Sequence, residues 1–163
     1  MTLVLASQSV GRIAMLNAAG VAVEVVPALV DEDSIKTSLT EAGAKPRDIA
    51  DALAEAKARK VSRKVPTALV LGCDQICVGA DGHIFDKPKT PEDARAHLAR
   101  LSGSVHRLIS AAVICEGGAP VWRVVDTAQM TMRPLSPAFI TNYVDTYWEG
   151  IRHCVGCYRI EAE

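Results

Sequence analysis

Apolar positions along this chain switch repeatedly between a period of two and a helical period, and polar turns separate the runs. Thr2–Ala6 is a short apolar strand, and Ser7–Arg12 is a polar turn. Ile13, Leu16 and Ala19 then recur at helical spacing, with Gly20 as the stop signal. Val21–Ala28 reads as a second strand, and Leu29–Thr40, with Asp31-Glu32-Asp33, as a polar acidic loop. Residues 46–64 are helical: Pro46 sits near the first turn, and Ile49, Leu53, Ala56 and Val61 lie along one side. Ala68–Leu71 is a continuous apolar run, the signature of a strand buried on both faces, and it ends on Gly72-Cys73-Asp74-Gln75. A short apolar piece, Ile76–Val78, leads into the hairpin signal Gly79-Ala80-Asp81-Gly82. The return of this hairpin brings Lys87 back towards Asp74. Thr90-Pro91-Glu92-Asp93 is a strong helix start, with Ala94, Leu98 and Leu101 as its buried face. Residues 105–114 and 121–132 form a long hairpin, and a last helix runs from Ser136-Pro137 to about Trp148. Strand, turn and helix alternate, so the class is α/β.

Composition narrows the class further. The chain has 163 residues, is 49% hydrophobic and 23% charged, and carries a formal net charge of −1. That balance predicts a globular domain and argues against a general nucleic-acid coat or an anionic-membrane binder. The first residues show neither a basic nor a long apolar leader pattern, so no signal peptide is expected, and no stretch of the chain approaches a membrane-spanning length. The five cysteines are odd in number and scattered in apolar contexts, which suits a reducing, cytoplasmic setting. Cys154-x-x-Cys157 lacks a second ligand pair at zinc spacing, and no strand leads into it as in a thioredoxin. The chain has no G-x-G-x-x-G after a strand, no G-x-x-x-x-G-K-[ST], no G-x-S-x-G and no H-E-x-x-H. Aromatics at 4% speak against a base-stacking platform.

What remains is a scatter of serines, cations and strand-end acids. An acid at the end of a buried strand, as Asp74 is read, costs free energy unless a cation or metal meets it. The alternative is a surface loop with a solvated acid and lysine. Ser7, Ser9 and Arg12 flank a helix N-terminus, where anions are favoured. Ordinary capping by Ser7 or Ser9 explains the same residues with less. Lys57 lies at the edge of an apolar stripe, either snorkelling to solvent or projecting into a cleft. Together the set suits a phosphate-rich substrate with a divalent metal.

Several short motifs occur in order: Leu5-Ala6-Ser7-x-Ser9 with Arg12, Val30-Asp31-Glu32, Ala54-Glu55-Ala56-Lys57-Ala58, Gly72-x-Asp74-Gln75, Lys87-Pro88, and Leu101-Ser102-Gly103-x-x-His106-Arg107. In this order they resemble the Maf family of nucleoside triphosphate pyrophosphatases, once described as septum-formation inhibitors. The resemblance covers essentially the whole chain. It implies one Maf-like domain over residues 1–163 and an elongated, inosine-triphosphatase-like α/β fold, with a mixed sheet, flanking helices and a cleft between two lobes. It implies hydrolysis of a nucleoside triphosphate at the α–β bond with a divalent cation, Mg²⁺ or Mn²⁺. By position Asp74 matches the general base. Ser7, Arg12, Glu32, Lys57 and Lys87 match the phosphate and metal site, with Ser9 in the same turn and with Glu32 and Asp74 as metal ligands. The partner is the nucleotide itself, with neither a nucleic acid polymer nor a membrane, and the resemblance suggests a homodimer.

Within the family, Gln75 after Asp74, and Glu161 in Tyr158-Arg159-Ile160-Glu161, resemble the 7-methyl-GTP branch rather than the dTTP/UTP branch, whose members carry Thr after the aspartate. Three departures accompany the match. Gly11 stands where the family carries a large side chain, Asp86 precedes the Lys87-Pro88 pair, and the family normally runs well past Glu163. A nucleotide-binding or regulatory protein with impaired catalysis is the other class of function. Pyrophosphate release from a panel of triphosphates separates the two.

Overall fold

The computed structural model describes residues 3–160, so Glu161 lies outside the described residues. The elements are β1 (Leu3–Leu5), α1 (Val10–Ala18), β2 (Glu24–Val25), α2 (Glu32–Glu41), α3 (Pro46–Ser62), β3 (Leu69–Gly79), β4 (Ile84–Phe85), α4 (Pro91–Leu101), β5 (Val105–Glu116), β6 (Ala119–Thr131) and α5 (Pro137–Ile151). A short 3₁₀ turn follows at Val155–Cys157. The strands form one six-stranded sheet in the order β2-β1-β3-β5-β6, with β4 paired to β3. β1 runs parallel to β2 and β3, whereas β4 runs antiparallel to β3, so the sheet is mixed as expected. No helix among the described residues is long and apolar enough to cross a membrane.

The chain divides into two compact units. One holds the chain through Asp74 together with Ser110–Asp126, and the other holds Gln75–Ile109 together with the chain from Thr127 onward. In the first unit Val4, Ala6, Val61, Ala68 and Val70 form a buried cluster, with Val26, Val30 and Val65 packed against it. In the second, Ala94 and Leu98 of α4 pack with Ile140, Val144 and Ile151 of α5. A neighbouring cluster there contains Cys77, Phe85 and Leu101.

Local signals set most boundaries. The hydroxyl of Thr90 accepts from Asp93 N, and Asp93 returns the bond to the Thr90 backbone, closing the capping box that starts α4. Ser136 caps α5 by its hydroxyl alone, accepting from Phe139 N. The β5–β6 hairpin turns on Gly117 and Gly118, with φ of 56° and 82°. Two consecutive positive φ angles match the right-handed strand twist and are cheap for glycine alone.

Three expectations change. Residues 32–41 are helical rather than a loop, because Asp31-Glu32-Asp33 is a helix start: Asp31 accepts from Ser34 N, and Glu32 and Asp33 fill the first turn. With so few apolar residues, the α2 segment shows no clear helical period in sequence. The second strand shrinks to Glu24–Val25. Finally, β3 does not end at Asp74 but continues to Gly79. Over its first half only alternate residues are buried, Val70, Gly72 and Asp74 among them, so the run is one-sided there.

Gly72 fixes the distance between β3 and α3. A Cβ built at this position would lie 2.2 Å from the Ala54 carbonyl oxygen and 2.7 Å from Ala58 N. Neither backbone atom can rotate away, so only glycine lets the helix sit this close. Gly72→Ala is expected to cost at least about 1–3 kcal/mol through overpacking. It should also lower turnover, since α3 carries Lys57. Denaturant melts test this, and an alanine protein as stable as the parent would show that α3 does not rest on Gly72.

Candidate active site

β1 and β3 are in parallel register, Leu5 opposite Leu71, and Ala6 N donates to Leu71 O at 2.8 Å. β1 then gives out while β3 runs on. Asp74 is therefore mid-strand in its own strand, yet it lies beyond the carboxyl end of its parallel neighbour. Open α/β sheets leave their binding crevices at such strand ends. The β1–α1 turn follows directly. Ser9 is the N-cap of α1 and accepts from Arg12 N at 3.4 Å. Ser7, 8% exposed, accepts from Ser9 N at 3.1 Å and from Arg12 Nη1 at 3.3 Å. Capping thus accounts for Ser9. It does not account for the Arg12 guanidinium, which folds back onto Ser7 instead of standing in solvent.

Lys57 comes from α3. Ala54 and Ala58 are the small residues that let this helix touch β3 at Gly72, and Lys57 shares their turn. Asp74 lies two residues along from Gly72, on the same face. The Lys57 ammonium consequently meets Asp74 Oδ1 at 2.6 Å, with both side chains 8% exposed. It also reaches Glu32 Oε1 at 3.0 Å, on a side chain 40% exposed. Lys57 is buried and paired, not snorkelling. Glu55, on the opposite flank of the motif, binds Arg123 Nη2 at 2.7 Å and Arg59 Nη1 at 2.9 Å. Arg123 also pairs with Asp51, so it braces α3 against β6. A lone arginine in a strand carries no sequence signal of that role.

Glu32 is placed by the loop before it. Leu29 adopts a φ of 50°, uncommon for a side chain of this size, and its carbonyl accepts from Lys60 Nζ on α3. Asp31 then caps α2, and Glu32 is its first residue. The helix start missed in sequence is what aims this carboxylate at Lys57.

The electrostatics are asymmetric. Burial pushes the Asp74 carboxyl above its ordinary range; Lys57, by charge and hydrogen bond, and Arg12 pull it down, while Glu32 adds to the rise. Burial also raises the neighbouring Cys73 thiol, against the opposing pull of Arg12 and Lys57. Arg12 and Lys57 thus act in the same sense on Cys73 and Asp74. Lys87 is exposed in the second unit, two residues past Phe85, which pairs with Cys77. That antiparallel register carries the chain at Lys87 back along β3 towards Gln75. Gln75 is half-buried on β3.

Glu32 and Asp74 suit a hard divalent cation. Their carboxylates converge on one point, now held by the Lys57 ammonium, and magnesium is commonly held by one or two carboxylates plus substrate phosphates.

The chain has relatives. The chain is 53% identical over 162 residues to a nucleoside triphosphate pyrophosphatase of Sphingopyxis alaskensis, covering 99% of this chain and 82% of that one. It is 48% identical over 161 residues to a 7-methyl-GTP pyrophosphatase of Mesorhizobium japonicum, covering 99% and 80%. A HAM1 protein from Coxiella burnetii superposes with a TM-score of 0.51 at 15% identity, covering 80% of this chain and 72% of that one. At that identity the likeness concerns the fold alone. The family model for Maf-like proteins matches residues 2–163, and the chain belongs to that family.

Proposed function

We propose that this protein is a nucleoside triphosphate pyrophosphatase that cleaves the α–β phosphate bond and releases a nucleoside monophosphate and pyrophosphate. The observation that carries the reading is the buried Lys57–Asp74 pair with Glu32 on the same ammonium. Burying charge without a task is costly. A carboxylate held near a cation, with a raised affinity for protons, is an apt general base for water. Lys57 and Arg12 supply positive charge for the phosphate oxygens, and the Ser7 hydroxyl orients Arg12. Lys87 and Ser9 are proposed as further phosphate contacts on the strength of the family resemblance. Glu32 and Asp74 would hold the divalent cation. When bound, such an ion neutralises phosphate charge and lowers the pKa of a coordinated water.

For the base we propose a preference for 7-methyl-GTP over dTTP and UTP. One named relative acts on that nucleotide. Gln75 both donates and accepts hydrogen bonds, and Glu161 accepts from the donor edge of guanine while attracting a cationic base. Gly11 tempers the preference. A Cβ there would meet only Ser9 Oγ at 4.0 Å, so there is room for a ring but none to stack on the base. Such a contact is worth roughly 0.5–2 kcal/mol where present.

The test is pyrophosphate release from a panel of triphosphates with Mg²⁺ or Mn²⁺. Release is expected with either metal, to stop with EDTA, and to be fastest per unit concentration for 7-methyl-GTP. Faster hydrolysis of dTTP or UTP would end the base assignment and leave the wider activity standing. Nucleotide binding with no release would end the enzyme reading.

A further inference from the structure

The turn end of the β5–β6 hairpin is tied to one ridge of α3, and all the residues involved lie in the first unit. Asp51, Glu55 and Arg59 follow one another along that ridge at a spacing of four, with Ser62 three further on. Arg123 of β6 donates from Nη1 to Asp51 Oδ2 at 2.5 Å and from Nη2 to Glu55 Oε2 at 2.7 Å. Arg59 donates from Nη1 to the other oxygen of Glu55 at 2.9 Å and from Nε to the Gly118 carbonyl at 3.2 Å. Gly118 N in turn donates to the hydroxyl of the buried Ser62 at 2.9 Å.

These ties grip the helix on the flank away from its site. Glu55 and Lys57 are two residues apart, about 200° around the axis. At the level of Lys57, α3 meets the sheet through Ala54 and Ala58 against Gly72, residues with no long side chain to interlock. The nearest large buried side chains of the helix, Leu53 and Val61, lie a turn away in either direction. Close packing therefore fixes how near α3 comes to β3 here and leaves its rotation to polar contacts. Stability alone does not account for the ties. The Arg123 side chain is 44% exposed, a setting in which ion pairs add little. Asp51 Oδ1 is buried without a hydrogen-bond partner among the described residues, which is a cost. What a forked guanidinium across two carboxylates one turn apart does provide is a fixed rotation and axial position for the helix.

Resting on the reading of Lys57 as the cation that serves the phosphates beside Asp74, we propose that Arg123 is a positioning residue for the reaction. By gripping Asp51 and Glu55 it sets the rotation of α3 that brings Lys57 over Asp74. It acts through that lysine, because its partners lie on the other flank of the helix. The Lys57 charge counts most when charge develops on the phosphate oxygens. Loss of the grip should therefore lower kcat and leave KM nearly alone.

The experiment measures pyrophosphate release from the best-hydrolysed triphosphate of the panel, with enzyme in excess where turnover is slow. It compares the wild type with Arg123→Met, Arg123→Lys, Lys57→Met and the double variant Arg123→Met/Lys57→Met, each also melted thermally. Arg123→Met is expected to lower kcat about tenfold, with KM changed less than about twofold. Its melting temperature should fall by less than about 4 °C. Arg123→Lys keeps the charge but spans only one carboxylate, so its kcat should fall only about threefold. Added to Lys57→Met, Arg123→Met should remove less than about a further twofold, because the group it positions is already gone. Wild-type kcat in Arg123→Met, or a loss that repeats in full on Lys57→Met, overturns the positioning role and leaves the pyrophosphatase reading intact. A loss seen only near a lowered melting transition overturns it too, marking Arg123 as structural. Wild-type kcat in Lys57→Met overturns the role given to Lys57, and no release from the wild type overturns the enzyme reading; either outcome overturns this inference with it. If Arg123→Met fails to fold, Arg123→Lys with and without Lys57→Met decides by the same comparison.

Discussion

Asp74→Asn is expected to lower turnover by on the order of 10²–10⁴-fold while the protein stays folded. The asparagine has the shape of the carboxylate and can still accept from Lys57, which now meets Asp74 Oδ1 at 2.6 Å. What it lacks is the charge that takes a proton from water or holds a metal. The pH dependence follows from the same burial. The folded carboxyl titrates above its ordinary value, chiefly because it is buried. Its proton is held more tightly in the native state, so this group's contribution to stability is present below the unfolded value of about 3.9 and is lost as pH rises through the folded one. Above that range the fold carries the ionised Asp74 at a cost, as active sites commonly do. Activity runs the other way: a base must be ionised, so the acid limb of kcat/KM should sit above the range of a free aspartate. Steady-state rates of the folded variant, with a pH profile of the parent, provide the check. Near-normal turnover in Asp74→Asn would remove Asp74 from the mechanism.

Lys57→Met should be damaging twice over. Its ammonium is shared by Asp74 and Glu32 at 2.6 and 3.0 Å. Removing it leaves two carboxylates facing each other, one of them buried. Breaking a buried pair costs about 3–5 kcal/mol, and the figure here should be smaller because Asp74 can take up a proton and Glu32 is partly solvated. That protonation is itself the kinetic signature. Lys57 lowers the proton affinity of Asp74, so its loss raises that affinity. The ionised fraction at any given pH then falls, and the acid limb of kcat/KM moves to higher pH, on top of a loss of turnover from the missing charge on the phosphates. Chemical denaturation reads the first effect and a pH–rate profile the second. An acid limb left where it was in the parent would show that Lys57 does not lower the proton affinity of Asp74, against their short contact.

The helices that announced themselves were those with chemical punctuation at their starts. Thr90-Pro91-Glu92-Asp93 and Ser136-Pro137 state where α4 and α5 begin, because capping depends on the hydroxyl and the imino acid of the segment itself, and in α4 also on its first-turn acids. α3 could be read for a related reason, with a proline at its start and an apolar stripe long enough to show its period. α2 escaped because its only local mark, a run of acids, was equally good evidence for a loop. The extent of β3 escaped because nothing in Gly72-Cys73-Asp74-Gln75 says whether the strand or its neighbour stops. That depends on β1, nearly seventy residues earlier, giving out at Leu5.

The candidate site divides along the same line. The residue types were legible in the order of their motifs: Ser7, Arg12, Glu32, Lys57 and Asp74 could be named from the sequence alone. So could the α/β class, since alternating strand and helix periods are properties of short windows. The sequence could not say that Lys57 is buried rather than snorkelling, nor that Arg12 folds onto Ser7, nor that Arg123 braces the helix that carries Lys57. Each of these is a contact between segments far apart in the chain. A contact of that kind is decided when the backbone of Gly72 meets Ala54 and Ala58 closely enough to bring one lysine over one aspartate, and only the packed fold sets that distance.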